Sequence, residues 1–213
     1  QHDEIGELAH FNGANDIVHE VLVGVVLGVG LEQCRAGGDT AGGLVGANTG
    51  TVTASYWNKD TSGQTAGAAG TGVSDAAMRS SSTFAGWSLT DTAANPASYS
   101  SYRWVIVDGG TLPMLVREYS TNITNLHQLQ LMALDPAAQY TLNQDLDAAA
   151  TATGSDVWGS AGFVPLGGNG AAAFSGSFDG QGHLISNLTI NSQQRDTGLF
   201  GVVGATGVIK NIG

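Results

Sequence analysis

Positive charge is scarce in this 213-residue chain: seven Lys and Arg stand against 18 Asp and Glu, a formal net charge of −11. Phosphate binding needs clustered cations, so nucleic acid is excluded as a partner class. An anionic membrane surface is excluded for the same reason. Acidic polysaccharides are repelled unless a divalent cation bridges them. Charge of either sign is thin, at 12% of residues, where ordinary domains carry roughly 25%. Cysteine is nearly absent. Cys34 stands alone, so no intramolecular disulfide forms, which leaves the compartment open. Long hydrophobic runs are missing too. The longest, Val21 to Leu31, has 11 residues, and a membrane helix needs roughly 20. It reads as a buried strand or core segment, and no membrane insertion is expected. The chain opens on Gln1 and an acidic stretch, without the basic start of a signal peptide, and so reads as a fragment or a mature region.

Glycine is plentiful instead, at 32 residues, beside an ordinary apolar share of 42%. That is not the composition of a disordered chain. Much Gly with Thr, Ser, Asn and Val points to many short strands joined by tight turns. The length allows one domain or two small ones. Internal similarity is visible: "GGLVGANTGTV" from Gly42 and "TGLFGVVGATGVI" from Thr197 share Gly-Leu-apolar-Gly followed by Thr-Gly-x-Val/Ile. "LISNLTI" and "VIKNIG" share Ile-x-Asn-apolar, with Ile185 and Ile209 about 24 residues apart. A period of this size predicts coils of a parallel β-helix, with Gly and Asn at corners that need positive φ.

The stretch "GSFDGQGHLISNLTI", 176 to 190, tests that reading against catalysis. Asp179-Gly180-Gln181-Gly182 has the chemistry of a tight turn. Leu184, Ser186, Leu188 and Ile190 are predicted on one strand face, and Phe174, Gly176 and Phe178 on an earlier alternation. Asp179 then reads as a turn residue and His183 as a strand-edge side chain. Elsewhere Ser74 is expected to cap a short helix in "SDAAMRSSSTFAG", and Thr124 to cap an amphipathic helix that ends before Pro136. Asp108-Gly109-Gly110 is expected to turn the chain between two apolar strands.

From Gly42 on, the wording resembles a known family. "GGLVGANTGTV" resembles the glycine-rich GLUG repeat of large bacterial surface and secreted proteins. Trp57-Asn58, Thr61 to Gln64, Gly70 to Gly72, Met78 and Phe84 to Trp87 resemble a block that follows GLUG coils in two-partner-secretion, filamentous-haemagglutinin-like adhesins. "YTLNQDLDAAAT" through "GVIKNIG" resembles the opening of a further GLUG solenoid, wording also found ahead of the catalytic domain of bacterial IgA1 metalloproteases. The resemblance implies an all-β, right-handed parallel β-helix, a secreted or cell-surface location and a role in adhesion. It implies no catalytic residue. The expected organisation is an unassigned segment at 1–40, a GLUG-type coil with an irregular, helix-containing cap at 41–118, and a second solenoid beginning at 119–213 and continuing past it.

His19-Glu20 opens like the zinc-protease helix His-Glu-x-x-His, but position 23 is Val, so the second ligand is missing. His2, His10, His127 and His183 have no metal-ligand spacing, and Cys34 has no CxxC context. Gly24, Gly28 and Gly30 do not make the dinucleotide pattern. A glycoside hydrolase needs two carboxylates about 5 to 9.5 Å apart on one groove. Asp145, Asp147, Asp156 and Asp179 are the candidates, and Asp145 and Asp147 share a strand face. A lyase on an acidic sugar needs cations, and only Arg195 and Lys210 lie nearby. The same carboxylates are the candidates for Ca²⁺, without an EF-hand or nonapeptide motif. Trp57, Trp87, Trp104 and Trp158 read as core before sugar platforms. Asn122 and Asn187 begin Asn-x-Thr sequons, read as incidental. No residue is assigned a catalytic, cofactor-binding or metal-ligating role. The expected protein is a non-catalytic segment of a large secreted or cell-surface bacterial adhesin, a stalk, a surface for a host or neighbour-cell glycan or protein, or both. A polysaccharide hydrolase and an end-to-end, fibre-forming structural segment are the alternatives.

Overall fold

The computed structural model describes residues 42–92, 96–154, 156–168, 171–193 and 195–213. The readings placed on residues 1–40, including His19, Cys34 and the run from Val21, lie outside the described residues. In the first half, strand and helix alternate because polar caps end each strand. β1 (Tyr56–Asn58) pairs in parallel with β2 (Thr71–Val73). Asn58 closes β1 and caps α1 (Lys59–Ser62), its side chain accepting from the Asp60 and Thr61 amides. Ser74 follows β2 and caps α2 (Asp75–Met78) through the Ala77 amide, as its sequence position predicts. β3 (Leu89–Asp91) runs parallel to β4 (Trp104–Ile106). After the turn at Asp108 to Gly110, β5 (Met114–Leu115) returns antiparallel to β4. Tyr56, Phe84, Trp87 and Trp104 pack as a chain of tilted and edge-on rings, with centroids 4.8 to 6.0 Å apart.

The second half holds β6 (Asn122–Ile123), α3 (Leu126–Leu131), β7 (Gln139–Leu142), β8 (Leu146–Asp147), α4 (Ala150–Thr153), β9 (Ser177–Asp179), β10 (Ile185–Ser186) and β11 (Val208–Lys210). β6, β7, β9 and β11 form a four-stranded parallel sheet in that order, and β8 pairs in parallel with β10. Tyr140, Phe174 and Phe178 line its buried side, and Trp158 and Phe163 join them in a core continuous with that of the first half. Arg79, at the end of α2, spans the two halves. Its guanidinium donates to Asp75 and to the carbonyls of Val157 and Trp158.

This arrangement overturns the expected all-β right-handed parallel β-helix. Among the described residues the strands are two to four residues long and fall into four separate small sheets, one of which contains an antiparallel pair. Capped helical turns at Asn58, Ser74 and Asn125 stand between them, so no uniform coil is repeated among the described residues. Two local expectations shift as well. Asn125, not Thr124, caps α3, because its carboxamide reaches the Gln128 amide while Gln128 Oε1 accepts from the Thr124 N–H. Leu184 does not share an inner face with Leu188 and Ile190. It is 54% exposed, and Asn187, at φ 56°, breaks the alternation between them.

Candidate functional site

The described residues enclose a cleft of about 570 Å³, within the size range of small-ligand sites. One wall is the turn at Asp108 to Gly110 and the end of β3; the other is the glycine-rich run from Ala161 to Gly168. Met132, Phe163, Leu166 and Phe174 supply apolar lining, and Asp91, Asp108 and Asp196 are its acidic members, with no Lys or Arg among the described lining residues. Gln130 sets the far wall. Fully buried, it donates to Val164 O at 3.0 Å and accepts from Val164 N at 3.0 Å and Trp158 Nε1 at 2.9 Å. Asp108 is held by the Ser81 amide at 2.6 Å. Such a cleft is chemically suited to neutral or cationic groups and repels anions.

The four carboxylates singled out from sequence lie elsewhere. Asp145 and Asp147 flank buried Leu146 and face solvent, as alternation predicts. Asp145 meets His183, 2.9 Å from Nδ1, and the Leu184 amide; that amide and then His183 hold its pKa below the usual carboxylate range. Asp147 and Asp179 share one geometry. Each accepts from the carboxamide of an Asn in left-handed conformation, Asn187 at 2.9 Å and Asn211 at 3.0 Å. These bonds, then the Ala149 amide for Asp147 and the Gln181 amide and Lys210 for Asp179, lower both pKa values. Asp179 ends β9, just before the turn Gly180 to His183, in which Gln181 and Gly182 have φ 51° and 86° and His183 N donates to Gly180 O; the Asp179 and His183 side chains take different partners. A hydrolase acid must hold its proton near neutral pH, which takes a raised pKa. All four carboxylates are shifted the other way. The Trp side chains are core: Trp57, Trp104 and Trp158 are buried, and Trp87 is half-buried against Trp104.

One constellation escaped the sequence reading. His127 Nδ1 lies 2.9 Å from Glu118 Oε2 and Nε2 lies 2.9 Å from Asp156 Oδ1. Those hydrogen bonds, Asp156 first, raise the His127 pKa to about 9 against burial, and His127 in turn lowers Asp156. An imidazolium fixed between two carboxylates is a poor general base, and both its nitrogens are occupied. Its role is to join the turn before β6, α3 and the loop after α4. Because the folded pKa is raised above 6.5, this stabilisation is complete below about pH 6.5 and is lost as pH rises through about 9. The lowered Asp156 sets the acid limit, where its contribution is lost below the ordinary carboxylate range. An affinity change of this size corresponds to about 3 kcal/mol, and partial solvent access reduces it to about 2 kcal/mol. In urea unfolding from pH 6.5 to 10, the native chain is expected to lose that amount and His127→Gln to lose far less. Equal pH slopes for both would remove the clamp from the account.

No helix among the described residues is long and apolar enough to cross a membrane. No family model matches the chain, and no solved structure matches it. Over 141 residues the chain is 31% identical to Halomucin of Haloquadratum walsbyi, a match that covers 56% of this chain and 2% of Halomucin. The chain thus spans a small fraction of the length of the curated relative it matches.

Proposed function

We propose that this chain is a non-catalytic segment of a large secreted or cell-surface protein, serving as a stalk and as a surface that binds a glycan or a protein. The observation that carries the reading is the match to Halomucin, in which a stretch of this size is 2% of the whole. The resemblance of the residue wording to GLUG-repeat exoproteins points the same way, although the fold it implies is not found. The four carboxylates considered for a polysaccharide hydrolase lie outside the cleft, and the acidic lining of the cleft favours neutral or cationic ligands over acidic ones.

Incubating the purified chain with neutral, cationic and acidic glycans tests this reading, with retention and new reducing ends scored in the same wells. Retention of neutral or cationic glycans without cleavage is expected. New reducing ends that vanish in Asp145→Ala or Asp179→Ala would make the protein a hydrolase. No retention on any glycan would sink the glycan-binding role and leave the stalk.

A further inference from the structure

The cleft between the Asp108 turn and the glycine-rich run is graded from floor to mouth. Met132, Phe163, Leu166 and Phe174 are buried, so its floor is apolar. Gln130, the polar side chain set into that floor, spends its carboxamide on Val164 and Trp158. Asp108 and Asp196 are exposed and stand at the mouth. They come from different walls. Asp108 lies on the turn after β4, and its N–H donates to Asp91 Oδ1 at 3.4 Å, which brings the end of β3 beside it. Asp196 borders the glycine-rich wall: its carbonyl oxygen lies 3.3 Å from where a Cβ on Gly168 would stand. The Ser81 amide takes Oδ1 of Asp108. Among the described residues, Oδ2 of Asp108 and both carboxylate oxygens of Asp196 accept no hydrogen bond and meet no cation. The mouth thus holds spare acceptors and negative charge, and the floor offers only apolar surface.

We propose that this cleft binds an amino sugar with free ammonium groups, its ring lying on the apolar floor and its ammonium groups at the carboxylates of Asp108 and Asp196. The inference rests on the glycan-binding reading above and names the class of glycan. Charge complementarity selects it. An ammonium brings three donors and a positive charge to carboxylates that have oxygens to spare, where a sugar hydroxyl brings one donor and no charge. N-acetylation of the same sugar removes the charge and two of the donors. An acidic sugar is repelled, both by the mouth and by the −11 of the whole chain. The C–H face of a pyranose is the part of a sugar that an apolar floor accepts. A volume of about 570 Å³ suits one or two rings rather than a long chain.

Titration calorimetry of the whole chain with a β-1,4-linked glucosamine disaccharide and with its fully N-acetylated form tests this, at about pH 5.5, where the sugar amine is protonated. The amine form is expected to bind at least about tenfold tighter in about 0.05 M NaCl, and to lose at least about threefold of that advantage in about 1 M. Asp108→Asn and Asp196→Asn are each expected to weaken the amine form about threefold. Asp145→Asn removes the same charge outside the cleft and is expected to leave binding unchanged. Ala172→Trp, at an exposed residue of the cleft lining, is expected to weaken both forms at least about tenfold with the circular dichroism unchanged. Acetylated disaccharide bound as tightly as the amine would overturn the inference and leave the glycan-binding reading standing. Amine binding that Asp145→Asn weakens as much as Asp108→Asn, or that Ala172→Trp leaves intact, would put the cation on the general acidic surface and overturn it as well. Binding of neither form also overturns it, and retention of other glycans then decides the broader reading separately.

Discussion

Replacing Arg79 with Met is expected to remove about 3 to 5 kcal/mol of stability, read as a shift of the urea midpoint. Arg79 is buried, and all three of its guanidinium nitrogens donate: Nε and Nη2 to the two oxygens of Asp75 at 3.1 and 3.4 Å, Nη1 to Val157 O at 2.5 Å, and Nη2 to Trp158 O at 3.3 Å. Methionine fills similar space but leaves the Val157 and Trp158 carbonyls without these donors, and the unmade bonds dominate the cost. Asp75 suffers less, since it also accepts from Asn58 at 2.9 Å and is 39% exposed. Arg79→Lys is expected to recover less than half, because one ammonium cannot serve two carbonyls and a carboxylate in this planar arrangement. A loss below about 1 kcal/mol for Arg79→Met would show that Arg79 is not a main tie between the halves, leaving the Leu112 N to Val157 O bond and apolar packing to hold them.

Gly176→Ala is expected to be at least as damaging. A Cβ at this position would lie 1.9 Å from Ala138 O and 2.7 Å from Ala137 C. Both obstacles are backbone, fixed by the bonds from Gly176 N to Pro136 O and from Ser177 N to Ala138 O. No side chain can move aside, so β9 must leave β7. β11, which is paired to β9, must follow. The expected loss exceeds about 4 kcal/mol, or folding of the sheet fails outright. Gly182→Ala is the control. Gly182 has φ 86° but nothing within 4 Å of an added Cβ, so only backbone strain of about 1 to 3 kcal/mol applies. If Gly176→Ala were no worse than Gly182→Ala in the same unfolding assay, the close approach of β9 to residues 136–138 would be refuted.

Punctuation was the legible part of this sequence. Ser74 caps where expected, Asp108 to Gly110 turn where expected, and Phe174 and Phe178 are buried as their alternation requires, whereas the turn expected at Asp179 to Gly182 starts one residue later, with Asp179 ending β9. These are properties of a few adjacent residues, and local chemistry determines them. Architecture was not legible, because strands of two or three residues carry too little pattern to say which neighbour each pairs with. "LISNLTI" and "VIKNIG" do share a left-handed Asn clasped by an Asp, at Asn187 and Asn211, yet they lie in different sheets, against β8 and β9. The His127 clamp was invisible for a similar reason. Its partners lie 9 and 29 residues away, with no motif to link them. The cleft depends on buried Gln130 reaching Val164 across 34 residues, which no local rule foretells.

The Arg79 staple also has a mechanical meaning. It ties residue 79 to Val157, 78 positions further along the chain. Tension applied to the two ends of this segment must cross that tie before it loads the strands and turns enclosed between them. The tie does not act alone: Leu112 N donates to Val157 O at 2.7 Å, and β7, inside the enclosed stretch, is paired to β9 beyond it, so that stretch adds length only after these give way as well. A chain closed on itself at several such points carries load through parallel ties rather than along its contour.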